Sequence, residues 1–179
     1  YNTVAFDREA KAAGIESISI NGDAFSNQIK EQTIEAIRQS TGTVDLVIYS
    51  LAAPMRTDPA TGTTYKSVLK PIGTPFSSRT ADPFTGEMSE FTIDPATDDE
   101  AKATVKVMGG EDWKLWLDAL TDAGVLADGV TTVAYSYIGP PATQSMYRHG
   151  TIGRAKEHLE HTAFDLQKSL SDLSGRAYV

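Results

Sequence analysis

The run Val44–Ala52 (VDLVIYSLA) is apolar at both sets of alternating positions. A strand with one face in water alternates polar and apolar residues, so a run apolar on both faces implies a strand covered on both sides, as in a parallel sheet flanked by helices. The sequence ahead of it supplies the matching pieces. IESISI (Ile15–Ile20) is β-branched, bounded by Gly14 and Asn21-Gly22, and reads as a strand that ends in the turn Asn21-Gly22-Asp23. Behind Ser26, an N-cap candidate, Ile29, Thr33, Ile34 and Ile37 recur at helical spacing and predict an amphipathic helix over 27–39. Strand, helix, strand places the chain in the α/β class.

Between residues 54 and 96 the pattern breaks. Six of the eight prolines fall there, together with the turn signals Thr61-Gly62, Ile72-Gly73 and Thr85-Gly86. An insertion of hairpins and loops at the end of a parallel strand lies where α/β proteins bind ligands, so this one is expected to cover a pocket. Beyond it, residues 98–108 read as a helix, and Trp113, Trp116, Leu117 and Leu120 repeat at helical spacing on another, with the tryptophans in the core. The turn Ala127-Asp128-Gly129 introduces a third strand, Val130–Ile138, and a last helix is expected over Thr151–Ser174 before the chain closes in SGRAYV. All 179 residues read as part of one domain.

Composition removes several function classes. A net charge of −8 and no basic run argue against a nucleic-acid partner. The absence of cysteine excludes disulfides and thiolate catalysis, and leaves any metal to the acids and to His149, His158 and His161, which lack a strong ligand spacing. His158 and His161 share a helix face and read as solvated, so no metal is expected. No apolar run approaches a membrane span, and a cytoplasmic protein is the expectation.

The stretch that points to chemistry is YIGPPATQSMYRHGTIGRAK (Tyr137 to Lys156). A phenol beside an ammonium group can handle protons near neutral pH, because the cation favours the charged form of the tyrosine. Eight residues separate Tyr147 from Lys156. On one helix, nine steps of about 100° would set them on opposite faces, so Tyr147 is expected in the loop ahead of the helix, reaching back over its first turn. Gly150 and Gly153 would allow such a loop. The three strands end in NGDAFS, SLAAP and YSYIGP. In a parallel sheet these tips share one edge, where Asp23, Ser50, Leu51, Ala52, Tyr137, Tyr147 and Lys156 could converge on one cleft. Taken singly, Asp23 reads as a turn former, Lys156 as a solvated helix lysine and Tyr137 as a buried structural tyrosine, with Tyr135 competing from the same strand.

The combination of SINGDAFS, SLAAP-x-R, MGGEDW (Met108–Trp113), YSYIGP and Tyr147-x8-Lys156 within GTIGRAK resembles the FabV-type enoyl-acyl carrier protein reductases and the related trans-2-enoyl-CoA reductases. The likeness runs over essentially the whole chain. It implies a Rossmann-type parallel sheet with helices on both faces, as in short-chain dehydrogenases, with extra elements around the substrate cleft. It also implies a monomeric NADH-dependent oxidoreductase of fatty acid biosynthesis that reduces the 2,3 double bond of an enoyl thioester carried by acyl carrier protein or coenzyme A. By the resemblance, Tyr147 and Lys156 match the catalytic tyrosine and lysine, and Tyr137 matches a second tyrosine that faces the substrate thioester. Asp23 and Ala24 match the turn that holds the adenine ring. Ser50, Leu51 and Ala52 line the ribose and nicotinamide side, and Lys156 also holds the ribose.

The family's proteins are about twice as long and begin with a strand, a glycine-rich turn and a helix that cradle the pyrophosphate. No such glycine cluster occurs here. The chain is therefore expected to be the central part of such an enzyme, incomplete at both ends, and inactive in isolation. Two other readings stay open: a non-catalytic α/β piece that binds no nucleotide, and a carbonyl reductase of the same superfamily, which the long Tyr-to-Lys spacing disfavours. Arg148, His149 and Arg154 are candidates for a basic surface toward an acidic carrier.

Overall fold

The computed structural model describes residues 2–137 and 139–179. Its centre is a three-stranded, wholly parallel sheet in the order β1 (Val44–Tyr49), β6 (Leu126–Ala134), β7 (Arg176–Tyr178). The helices are α1 (Asn2–Ala12), α2 (Asn27–Ser40), α3 (Asp98–Met108), α4 (Glu111–Asp122) and α5 (Thr151–Ser169). Two of them begin at a side-chain cap. Ser26 caps α2 by accepting from the Ile29 N–H at 3.3 Å. At α3, Thr97 and Glu100 form a reciprocal capping box.

Two pairs of short antiparallel strands fill the insertion: β2 (Met55–Thr57) with β3 (Thr64–Lys66), and β4 (Phe76–Ala81) with β5 (Met88–Ile93). The proline and glycine signals were thus those of hairpins. Ala127-Asp128-Gly129 is also a backbone irregularity, but it lies inside β6 rather than ahead of it. The pairing jumps from Val44–Leu126 to Leu46–Thr131, and Gly129 takes a φ of 77° that a residue with a Cβ resists. Among the described residues β6 ends at Ala134, four residues before the expected end; Ile138 lies outside them.

Three expectations need correction. Ile15–Ile20 forms no strand: Ile15 and Ile18 are 64% and 55% exposed. Ser17 and Ser19 both donate to the Asp7 carboxylate, at 3.0 and 3.1 Å, so they turn to one side as strand alternation predicts. No described strand pairs with this segment, and a strand exists only with a neighbour. The last helix stops at Ser169, followed by a 3-10 turn at Ser171–Leu173, and SGRAYV supplies β7 rather than a mere end. Helix α1 was not anticipated.

The core explains how the sheet is dressed. Trp113, Leu117 and Leu120 of α4, Leu159 and Leu166 of α5 and Leu170 just after it pack on Val130 and Ala134 of β6, with Ile34 and Ile37 of α2 against the same cluster. Burying each such aliphatic side chain is worth about 1.5–3 kcal/mol. Val47 and Tyr49 turn toward these helices, whereas Leu46 and Ile48 point the other way and are 54% and 51% exposed. The doubly apolar pattern of β1 is that of a strand with helices on both faces, and the described helices cover one of them.

Candidate functional site

The carboxyl ends of β1 and β6 open onto a cleft of about 410 Å³. Its walls come from separate parts of the chain. Ser50, Leu51 and Ala52 follow β1, Tyr135, Ser136 and Tyr137 follow β6, and Tyr147, Ile152 and Lys156 come from the turn before α5 and its first two turns. Leu69 from the insertion and Met108 at the end of α3 complete it. The insertion therefore reaches the site, as expected. Tyr137, Tyr147, Lys156, Ser50, Leu51 and Ala52 all meet here.

Tyr147 stands in the turn ahead of α5, held by its N–H to the Thr143 carbonyl at 3.0 Å, while the Gly150 N–H returns to the Tyr147 carbonyl at 3.3 Å. The two glycines serve close packing rather than loop freedom. A Cβ on Gly153 would strike the carbonyl oxygens of Arg148 and Tyr147, and one on Gly150 would meet the Met146 and Lys70 carbonyls. The Tyr147 turn is thereby pressed against the first turn of α5.

Helix α5 is also latched to the insertion. The Thr151 N–H donates to the Lys70 carbonyl at 3.0 Å, and the Thr151 hydroxyl donates to the Val68 carbonyl while accepting from the Lys70 N–H. On the other side, Thr104 of α3 accepts from the Val68 N–H at 3.0 Å. Both threonines are fully buried. Held on either side, Leu69 is fixed at the wall of the cleft.

Lys156 is half-buried in the cleft, and burial alone pushes its ammonium group below the ordinary lysine value. No described carboxylate lies within 4.0 Å of it to pull the value back. Its charge therefore faces the cleft rather than a structural partner.

Asp23 and Ala24 lie apart from this cleft. The Asp23 carboxylate accepts from the Phe25 N–H at 3.0 Å, a local turn contact. Ala24 lines a second groove of about 300 Å³ that shares Ser50 and Leu51 with the first. The convergence is thus a strip, with the Ala24 turn at one end, the β1 tip in the middle and the two tyrosines with Lys156 at the other.

Sequence reasoning missed the buried charges beneath the strip. Lys30 of α2 and Asp112 of α4 form an ion pair at 2.8 Å, and the Tyr49 hydroxyl donates to the other Asp112 oxygen at 3.3 Å. Burial pushes the Asp112 carboxyl above its ordinary range although the Lys30 ammonium pulls it down. Nearby, Arg56 of the SLAAP-x-R run is buried and donates to Glu111 at 2.6 Å and to the Lys106 carbonyl at 2.7 Å. Placing Asp112 and Arg56 inside two motifs was the available signal; that Lys30 faces inward from an otherwise polar helix stretch was not readable.

Two of the histidines make hydrogen bonds within the protein. The Gly110 N–H donates to His158 Nδ1 at 3.0 Å, and His161 Nδ1 lies 2.7 Å from the Glu157 carbonyl. No group of three or more potential metal ligands converges among the described residues, and no described helix is long and apolar enough to cross a membrane.

Comparison with known proteins follows the same lines. The sequence pattern of the family described as "Trans-2-enoyl-CoA reductase catalytic region" matches residues 1–179. The chain is 59% identical over all 179 residues to the NADH enoyl-(acyl-carrier-protein) reductase of Cytophaga hutchinsonii, and 56% identical to the NADH trans-2-enoyl-CoA reductase of Treponema denticola. In both cases the whole chain spans 45% of the relative. The crystal structure of the Treponema denticola trans-2-enoyl-CoA reductase in complex with NAD superposes with a TM-score of 0.92 at 57% identity, covering 100% of this chain and 44% of that one. An enoyl-(acyl-carrier-protein) reductase from Aquifex aeolicus, at 15% identity and a TM-score of 0.55, shares the fold.

Proposed function

Because this chain belongs to the trans-2-enoyl-CoA reductase family, we propose that the protein of which it forms the described part reduces the 2,3 double bond of trans-2-enoyl thioesters with NADH. The observation that carries this reading is the meeting of Tyr137, Tyr147 and Lys156 in one cleft at the carboxyl ends of two parallel strands. The relatives at 53–59% identity are named as NADH reductases of enoyl thioesters, some on acyl carrier protein and some on coenzyme A.

The residues present fit one end of a dinucleotide. Lys156 offers a half-buried ammonium without a described carboxylate partner, suited to ribose hydroxyls, and Ser50 and Leu51 join its cleft to the Ala24 turn. No glycine-rich phosphate turn lies among the 179 residues. NADH, when bound, supplies the hydride for the β-carbon of the thioester.

What this chain contributes is orientation and charge. As the double bond is reduced, negative charge collects on the thioester oxygen, and on this reading the Tyr147 hydroxyl stabilises it by hydrogen bonding. Tyr137, whose ring meets that of Tyr147 edge to face, is on this reading the second tyrosine that faces the substrate thioester. The Lys156 ammonium holds the ribose and biases the tyrosine hydroxyl electrostatically. Leu51, Leu69, Met108 and Ile152 give the cleft apolar walls, and substrate and cofactor packed against them would displace water and so strengthen each of these interactions. The reading includes a monomeric, cytoplasmic enzyme with residues 54–96 as an insertion in a single Rossmann-like domain.

The test is NADH oxidation by the purified whole protein, followed by absorbance, with crotonyl-CoA and with a crotonylated acyl carrier protein in separate arms. Turnover in either arm with saturation by NADH supports the reading, and the faster arm identifies the carrier. No NADH oxidation with either substrate, or equal NADH oxidation with simple ketones, overturns it.

A further inference from the structure

Lys30 is 3% exposed, so a cation has been carried out of water onto the inner face of α2. A buried ion pair is a weak stabiliser, because the desolvation of two charges offsets most of their attraction, and two apolar side chains would fill the same space at no such cost. Its use lies in geometry. The three hydrogens of an ammonium group can be aimed independently, and here the nitrogen lies 2.8 Å from Asp112 Oδ1, 3.0 Å from the Phe25 carbonyl and 3.5 Å from the Ala24 carbonyl. Trp116 of α4 donates from Nε1 to the same Ala24 carbonyl at 3.1 Å, with its ring 5.1 Å from the Lys30 nitrogen. Asp112 in turn accepts from Tyr49, the residue just before Ser50 and Leu51, and the Tyr49 ring stacks on Trp113 at 6.4 Å.

We infer that Lys30 and Trp116 are positioning residues for the nucleotide turn: with Asp112 they hold the Ala24–Phe25 backbone at a fixed distance from the β1 tip, so that the adenine end of the cofactor meets a preformed seat. The inference rests on the proposed function for the identity of the nucleotide, and on the geometry above for the clamp. Both carbonyls of the turn accept from side-chain donors on α2 and α4, the buried Lys30 and the partly buried Trp116. The turn is therefore set by the helices rather than by the nucleotide, and binding need not spend energy ordering it.

The experiment uses the whole protein and two variants. Trp116→Phe removes one donor while keeping an aromatic ring in the core. The double variant Lys30→Met/Asp112→Leu removes the pair together, so that no orphaned charge remains. In both, the KM and Kd for NADH and the inhibition constant of AMP should rise about tenfold, the scale of losing a charge-assisted or buried hydrogen bond. Turnover at saturating NADH and the KM for the enoyl thioester should stay within about twofold in Trp116→Phe, since Trp116 does not line the Tyr147 cleft. Unchanged NADH and AMP constants in Trp116→Phe, or a fall in turnover with no change in those constants, overturns the inference. NADH and AMP binding are measured without substrate, so a wild-type protein that reduces no enoyl thioester refutes the proposed function while the clamp is still judged by the variants.

Discussion

The rings of Tyr137 and Tyr147 meet edge to face, with centroids 5.6 Å apart and planes at 86°. Such a contact is worth about 0.5–1.5 kcal/mol beyond simple burial, and it joins the end of β6 to the turn ahead of α5. The two phenols thus stand side by side in the same cleft.

Tyr147→Phe should keep this contact and lose the hydroxyl. Turnover in the whole protein is expected to fall by about two orders of magnitude or more, the usual scale for an oxyanion or acid–base group, with NADH affinity nearly unchanged. Steady-state kinetics with crotonyl thioesters gives the answer. Wild-type turnover would transfer the role to Tyr137.

Lys156→Ala should weaken NADH binding and lower turnover together, because one ammonium serves both. Lys156→Arg should not restore full activity, since a planar fork replaces a compact charge. The wild-type rate should also fall on the alkaline side at a pH below the ordinary lysine value of about 10.4, because burial lowers the Lys156 pKa and the group is active when charged. A pH profile of kcat/KM checks this, and an alkaline limb that persists in Lys156→Met would assign it to another group.

Gly153→Ala tests the packing of the Tyr147 turn. The added Cβ would collide with the backbone oxygens of Arg148 and Tyr147, neither of which can swing aside as a side chain could. Turnover should drop at least about tenfold through loss of alignment, with helical content unchanged by circular dichroism. Full activity would mean that the turn can shift without cost to the chemistry.

Glu100 carries an acid-stability prediction. The Lys70 ammonium at 2.6 Å, and then the Thr97 N–H, hold its carboxyl below the usual range. A carboxylate depressed in the fold contributes stability above its unfolded value of about 4.3, and that contribution disappears as pH falls through the lower folded value. Glu100→Gln should therefore melt below wild type at neutral pH, and the two melting curves should converge in acid. A constant gap at all pH values would contradict the assignment.

The 179-residue chain studied alone should bind NADH far more weakly than the whole protein. Backbone N–H groups on a pyrophosphate contribute roughly 1.5–3 kcal/mol each, and no glycine-rich turn is present to supply them. Titration followed by fluorescence or calorimetry decides it, and micromolar binding would place a phosphate site within these residues.

Local chemistry was legible in the sequence wherever one element sufficed to express it. Ser26 ahead of a 3.6-residue pattern gave α2, the tryptophan and leucine spacing gave α4, the glycine and proline signals gave the hairpins, and the Tyr147-to-Lys156 spacing placed the tyrosine outside the helix. Those features depend on bonds between residues a few positions apart. The tertiary structure decided whatever needs a distant partner. Ile15–Ile20 has strand composition but no described neighbour to pair with, whereas Arg176–Tyr178, with little strand signal, becomes β7 because β6 offers it an edge. Lys30 resembles any helix lysine until Asp112, 82 residues away, and the Ala24–Phe25 carbonyls surround it. A side chain's charge is written in the sequence, but the work that charge does depends on what the fold brings within about 3 Å of it.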